Sequence, residues 1–130
     1  MSVYLVTGAS GFLGRHILET LARMHPTAKC VALVRKPSDL VHSAWFAELG
    51  SVPILEGDLA ALPSLVNDAK IAGLTGIYHC AAEVHHGRDH QARQRAINIG
   101  GTESVMALAA RVKARVVFVS TSGASGCSLD

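Results

Sequence analysis

Gly8-Ala9-Ser10-Gly11-Phe12-Leu13-Gly14 spells a G-x-x-G-x-x-G loop near the start of the chain. Glycines at this spacing let the backbone approach a ligand that a Cβ would hold off. Where such a loop follows a strand and opens a helix, its N–H groups and the positive helix end converge on an anion. Gly14 would let that helix pack tightly on the strand. Arg35 and Lys36 are a second pair suited to phosphate, Arg35 through paired charge-assisted hydrogen bonds and Lys36 through its field; as a plain strand end they would simply be solvated. His79, His85, His86 and His90 fall within a dozen positions, and His86 and His90 have an i, i+4 spacing usable by zinc. No third ligand of suitable spacing accompanies them, so they read as loop side chains and no metal site is expected. Cys30, Cys80 and Cys127 are odd in number and form no C-x-x-C, which suits reduced cytoplasmic thiols rather than a disulfide framework.

The elements that must position these groups follow from hydrophobic pattern. Val3 to Thr7 is an apolar, β-branched run ending at Gly8, a buried strand entering a turn. From Phe12 the period changes: Phe12, Leu13, Ile17, Leu21 and Met24 form one helical stripe, stopped near Pro26. Cys30 to Val34 is a second strand, and Asp39 opens a second helix containing Leu40, Trp45 and Leu49 and ended by Gly50. Val52 to Leu55 makes a third strand, Pro63 to Lys70 a short helix, and Ile77 to Cys80 a fourth strand. His90 to Val112 is rich in helix formers and reads as a long helix despite Gly100-Gly101. Arg115 to Ser120 is a fifth strand whose unbroken Val116-Val117-Phe118-Val119 run expects cover on both faces. Strands alternating with helices imply right-handed crossovers, a doubly wound α/β fold and a parallel sheet in the order 3-2-1-4-5. The Ser- and Gly-rich stretch from Ser120 to Ser128 is the one low-complexity patch.

At 130 residues the chain fits one domain, and 49% hydrophobic with 17% charged residues supplies ample core. A formal net charge of +2 is too small for the field of a nucleic-acid binder. No apolar run approaches the roughly 18 residues needed to cross a bilayer. The first basic residue, Arg15, follows rather than precedes the first apolar stretch, unlike a signal peptide, so a cytoplasmic location is expected.

Taken together, five segments carry a resemblance. Val6-Thr7-Gly8-Ala9-Ser10-Gly11-Phe12-Leu13-Gly14 resembles the nucleotide-binding turn of the extended short-chain dehydrogenase/reductase family, which includes sugar epimerases, dihydroflavonol reductases and acyl-thioester reductases. Gly57-Asp58-Leu59 resembles that family's adenine-contacting segment, and His79-Cys80-Ala81-Ala82 its H-x-A-A turn beside the cofactor. Asn98-Ile99-Gly100-Gly101-Thr102 is similar to its N-x-x-G-T helix, and Val117 to Ser122 to the strand delivering the active-site hydroxyl. The resemblance implies a Rossmann-like domain over residues 1–130 that binds a nicotinamide dinucleotide through Gly8, Ser10, Gly11, Phe12, Leu13, Gly14, Asp58, Leu59, Ala81, Ala82, Asn98 and Ser120.

At the end of the second strand a dinucleotide fold that prefers NAD usually has an acid, whereas an Arg accommodates the 2′-phosphate of NADP. Here Arg35 and Lys36 stand there, and no acid occurs until Asp39. NADP(H) is therefore the expected cofactor, with NAD left open. The family's reaction needs a Tyr-x-x-x-Lys pair facing the nicotinamide. The only tyrosines, Tyr4 and Tyr78, have Gly8 and Ala82 four positions on, so the proton-donating and substrate-binding half is expected to be missing. Ser122 aligns with the catalytic hydroxyl, with Ser120 and Thr121 as near alternatives, and Glu83 or His85 is placed to touch substrate. The expected function is the cofactor-binding portion of an oxidoreductase or epimerase acting on a carbonyl or hydroxyl of a small molecule. A non-catalytic dinucleotide sensor is the alternative. An unpaired apolar fifth strand would also favour self-association.

Overall fold

The computed structural model describes residues 1–84 and 88–121. Five parallel strands form one sheet: β1 (Val3–Thr7), β2 (Lys29–Val34), β3 (Ile54–Glu56), β4 (Gly76–His79) and β5 (Arg115–Phe118), in the order β3-β2-β1-β4-β5. The expected topology is thus the observed one. β1 is central, pairing with β2 from Val3↔Lys29 to Thr7↔Leu33 and with β4 from Tyr4↔Gly76 to Thr7↔His79. The chain winds outward through β2 and β3, then returns to place β4 on the other side of β1. That reversal opens a crevice beyond the carboxyl ends of β1 and β4, where ligands of such sheets bind.

The apolar strands still alternate. Leu5, Val31, Leu33 and Ile77 face a core completed by Val105 and Leu108 of helix α5 (Gly101–Val112) and by Leu62. Val6, Cys30, Ala32 and Val34 face the opposite core, with Leu18 and Leu21 of helix α1 (Phe12–Met24), Leu40 and Phe46. Covering both faces is what allows continuous hydrophobic strands in a parallel sheet. β5 is the exception, an edge on which Val117 and Phe118 are 49% and 54% exposed.

Local structure departs from expectation where backbone donors are missing or diverted. The second helix is two short ones, α2 (Ser38–Val41) and α3 (Ala44–Glu48). Ser43 sits at the break and donates its hydroxyl to the Asp39 carbonyl, the competition with helical bonding that makes Ser a poor interior residue. Pro37, not Asp39, precedes the first of them. In place of a helix from Pro63 to Lys70 there are two 3-10 segments, Leu59–Leu65 and Ala69–Ile71. Pro63 lacks an N–H inside the first, while Asp58 and Asp68 accept from Ala61 N and Lys70 N at 2.9 and 2.8 Å and start tight turns instead. β3 begins one residue after Pro53, which contributes only its carbonyl, to Ala32 N. The long helix is continuous but mixed: α4 (Gln91–Arg95), a π-helical segment (Ala96–Gly100), then α5.

Candidate functional site

A cleft of about 700 Å³ opens at the carboxyl ends of β1, β2 and β4, within the range of small-molecule sites. Its floor is the glycine loop. Gly8 has φ +66°, the left-handed region, and its carbonyl accepts from Gly11 N at 3.0 Å. Gly11 caps α1 without a side-chain hydrogen bond, and the first turn has no acid. The opening N–H groups of the helix are therefore left for an external acceptor, at the positive end of the dipole. A Cβ on Gly14 would lie 2.0 Å from the Gly8 carbonyl oxygen, so α1 rests directly on the turn. Gly14 is buried, while Phe12 and Leu13 are 83% and 43% exposed, and none of the three side-chain positions lines the cleft.

One wall is built from Arg35, Asp58 and Leu59. Arg35 is exposed at the end of β2 and lines the cleft; Lys36 beside it is exposed and does not. Asp58 lines the cleft and uses one carboxylate oxygen on Ala61 N. Leu59 packs where a Cβ on Gly101 would lie, 2.4 Å from its Cδ1, so the second glycine of the helix lets that helix close against the 3-10 segment.

The opposite wall, residues 80–83, is held by side chains whose joint role was not foreseen. Thr7 Oγ1, fully buried, accepts from Cys80 N at 3.1 Å and Ala81 N at 3.2 Å and lies 2.7 Å from His79 Nδ1. His79 Nε2 lies 3.2 Å from Thr102 Oγ1, which donates to the Asn98 carbonyl at 2.6 Å. Asn98 in turn accepts from Glu83 N at 2.8 Å and donates to Glu83 O at 2.9 Å. Glu83 lines the cleft, and its carboxylate pairs with Arg93 at 2.9 Å. Burial lowers the pKa of His79 and raises that of the Cys80 thiol, so both are neutral near pH 7. The available signal for this network was positional, since Thr7 and His79 each end a strand and precede a turn.

Of the expected site residues, Gly8, Ser10, Gly11, Arg35, Asp58, Leu59, Ala81 and Ala82 come together around the cleft. Asn98 instead spends its amide on the wall, and Ser120 is exposed away from the cleft lining. Ser122, His85 and His86 lie outside the described residues. Among the described residues no group of three His, Cys, Asp or Glu side chains is placed to hold a metal, and no helix is long and apolar enough to cross a membrane.

A dinucleotide fits this arrangement: a floor of glycine-loop backbone, helix N–H groups without a side-chain cap for a pyrophosphate, and a carboxylate and a guanidinium flanking the far end. Residues 6–130 match the NAD-binding family model described as male sterility protein. Tetraketide alpha-pyrone reductase 2 of Arabidopsis thaliana is 32% identical over 130 residues, which cover 93% of this chain and 39% of that protein. Among solved structures, the terminal R domain from the myxalamid PKS-NRPS biosynthetic pathway is similar with a TM-score of 0.70 at 26% identity, over 93% of this chain and 35% of that one. UDP-glucose-4-epimerase from Stenotrophomonas maltophila, with bound NAD and formylated UDP-arabinopyranose, shares the fold at TM-score 0.79 and 19% identity, over 98% of this chain and 39% of that one. The chain thus spans well under half the length of each of these proteins. It belongs to the male sterility protein family, within the extended short-chain dehydrogenases/reductases, and carries their nicotinamide-dinucleotide-binding fold.

Proposed function

We propose that the cleft binds NADP(H) and that the chain is the cofactor-binding portion, residues 1–130 as one domain, of an oxidoreductase or epimerase acting on a carbonyl or hydroxyl group of a small molecule. The observation that carries the cofactor preference is Arg35: it lines the cleft at the end of β2, where an NAD-preferring site would hold an acid. In this reading the backbone of Gly8, Ser10, Gly11, Phe12, Leu13 and Gly14 receives the pyrophosphate. Arg35, with Lys36 adding field, meets the 2′-phosphate, and the Asp58 carboxylate takes the adenine amino group beside Leu59. Ala81 and Ala82 flank the nicotinamide half, with Asn98 holding their turn in place. Ser120 is assigned to the cofactor and Ser122 to the catalytic hydroxyl on the resemblance of their segment alone. When bound, the cofactor would supply or accept a hydride, and the chain's residues would orient it. Support for the reaction class comes from the relatives, one of which is named a reductase and one an epimerase. The sequence contains no Tyr-x-x-x-Lys, so the proton transfer of that chemistry is assigned to residues outside these 130. The exposed apolar edge of β5 supports self-association through that strand, and a cytoplasmic location is proposed on the odd, unpaired set of cysteines in the sequence.

Arg35→Ala tests the assignment. It removes hydrogen bonds to a charged group, about 1.5–3 kcal/mol, which is roughly a 10- to 150-fold loss in NADPH affinity. NADH affinity should stay unchanged when both are titrated by calorimetry. Equal losses for the two cofactors would show that Arg35 does not read the 2′-phosphate.

A further inference from the structure

His79 is fully enclosed by groups whose protons can be counted. Thr7 Oγ1 has two lone pairs and one hydrogen. Cys80 N and Ala81 N donate to the lone pairs, so the Thr7 hydrogen is left for His79 Nδ1, 2.7 Å away. On the other side of the ring, the Thr102 hydrogen is committed to the Asn98 carbonyl at 2.6 Å. Thr102 Oγ1 must therefore accept from His79 Nε2. Both hydroxyls demand the same form of the ring: hydrogen on Nε2, lone pair on Nδ1, no charge.

We infer that His79 positions the wall formed by residues 80–83, that it does so only as the neutral Nε2–H tautomer, and that its protonation releases this wall and weakens dinucleotide binding. The inference rests on the reading that the cleft receives a dinucleotide. A second ring proton on Nδ1 would point at the hydrogen that Thr7 already donates. Turning the Thr7 hydroxyl away leaves three donors crowding one oxygen and buries its own hydrogen without an acceptor. The easiest release is loss of the two bonds to Cys80 N and Ala81 N. Those bonds hold the backbone that stands closest to Gly8, at the junction of wall and floor.

Among the described residues no facing charge offsets this. β1 presents Thr7 to the ring, β5 presents Phe118 with ring centroids 5.8 Å apart, and the long helix presents Thr102. The adjoining Cys80 thiol is kept protonated by burial. Glu83 and Arg93, the charged pair on this wall, are paired with each other. Burial, the one cause acting on the ring, lowers its pKa below 6.5, so folding and binding both favour the neutral form. The linkage sign is then fixed: the unfolded chain binds the proton more tightly, and the wall is intact at high pH and lost as pH falls through the folded pKa.

The test is a pH series from 8 to 5 on the 130-residue chain. NAD⁺ is the probe, because its pyrophosphate does not titrate in that range. The amide resonances of Cys80 and Ala81 should titrate together with the His79 ring while the Leu5 amide stays fixed. Calorimetry should show NAD⁺ affinity falling toward tenfold per pH unit below the ring's pKa, with up to one proton released on binding. In His79→Gln, which keeps a donor for Thr102 but cannot titrate, that component of the pH profile should vanish. Amides that hold still while the ring takes its proton would overturn the inference, as would parallel profiles for the two proteins. If NAD⁺ does not bind even at pH 8, the dinucleotide reading fails, and the Cys80 and Ala81 amides of the unmodified chain still decide whether His79 holds the wall.

Discussion

Gly8 and Gly50 share a backbone conformation and differ in surroundings, which lets one substitution at each separate two physical effects. Their φ angles are +66° and +78°. An alanine at either site adopts the left-handed region at a cost of about 1–2 kcal/mol. At Gly50 nothing lies within 4 Å of an added Cβ, so that cost, less the entropy alanine removes from the unfolded chain, is the whole effect. At Gly8 the Cβ would stand 2.8 Å from Ala81 N and 2.9 Å from both Ala81 Cα and Cys80 C. All three are backbone atoms, held in place by the bonds from Cys80 N and Ala81 N to Thr7 Oγ1. Forcing them apart adds roughly 1–3 kcal/mol of overpacking. Gly8→Ala should therefore destabilise by about 1.5–4 kcal/mol and Gly50→Ala by about 0.5–1 kcal/mol. Urea unfolding followed through Trp45, the single tryptophan, measures both. Gly8→Ala should also weaken NADPH binding, since the displaced segment lines the cleft, whereas Gly50→Ala should leave it unchanged. Equal destabilisation by the two substitutions would refute the close contact between the loop and the wall.

Two further outcomes follow from backbone and edge. Lys113 has φ 58° at the end of α5, with the Ala114 N–H returning to the Ala109 carbonyl, a position that favours glycine. Lys113→Gly should stabilise the chain by about 0.5–1 kcal/mol, the left-handed strain relieved less the entropy glycine adds to the unfolded state; a lowered urea midpoint would contradict this. Val117 stands half exposed on the unpaired edge of β5, and a charge on such an edge blocks strand addition. Light scattering should show concentration-dependent association that Val117→Lys abolishes, and a wild-type chain that stays monomeric at high concentration would count against association through this strand.

The strand order was legible because most strands are short apolar runs and each is followed by a connection long enough for a crossover, which between parallel strands is right-handed. The connections were less so. Whether 38–49 forms one helix or two depends on Ser43 choosing the Asp39 carbonyl, a contest of similar energies that composition does not decide. The segment after β3 looked helical from Pro63 onward, yet the controlling residue is Asp58, five positions earlier, whose carboxylate starts the tighter turn. The glycine loop was legible for the opposite reason. Gly8 and Gly14 are each required by contacts within the loop or with the adjoining turn, and Gly11 sits tightly over the Gly8 carbonyl, so their spacing already encodes the geometry.

Asn98 shows where residue type stops specifying role. Within N-x-x-G-T it had the character of a ligand contact, but it bonds both backbone groups of Glu83, 15 residues away in sequence. Thr7 and His79 are 72 residues apart and meet because they are partners in the β1–β4 register. Such pairings exist only after the topology does, so no local pattern reports them. The π-helical segment that carries Asn98 matters for the same reason: an extra residue in the turn rotates everything before it relative to α5. Thr102 thereby keeps its place beside His79 on the helix proper, and α4 brings Arg93 to the Glu83 carboxylate. Where the glycine loop meets residues 80–82 the cleft surface is thus mostly glycine, alanine and backbone, and what fixes its shape lies one layer behind it. A substitution there, at Thr7 or Thr102, acts on dinucleotide binding by moving residues 80–83 rather than by removing a ligand contact.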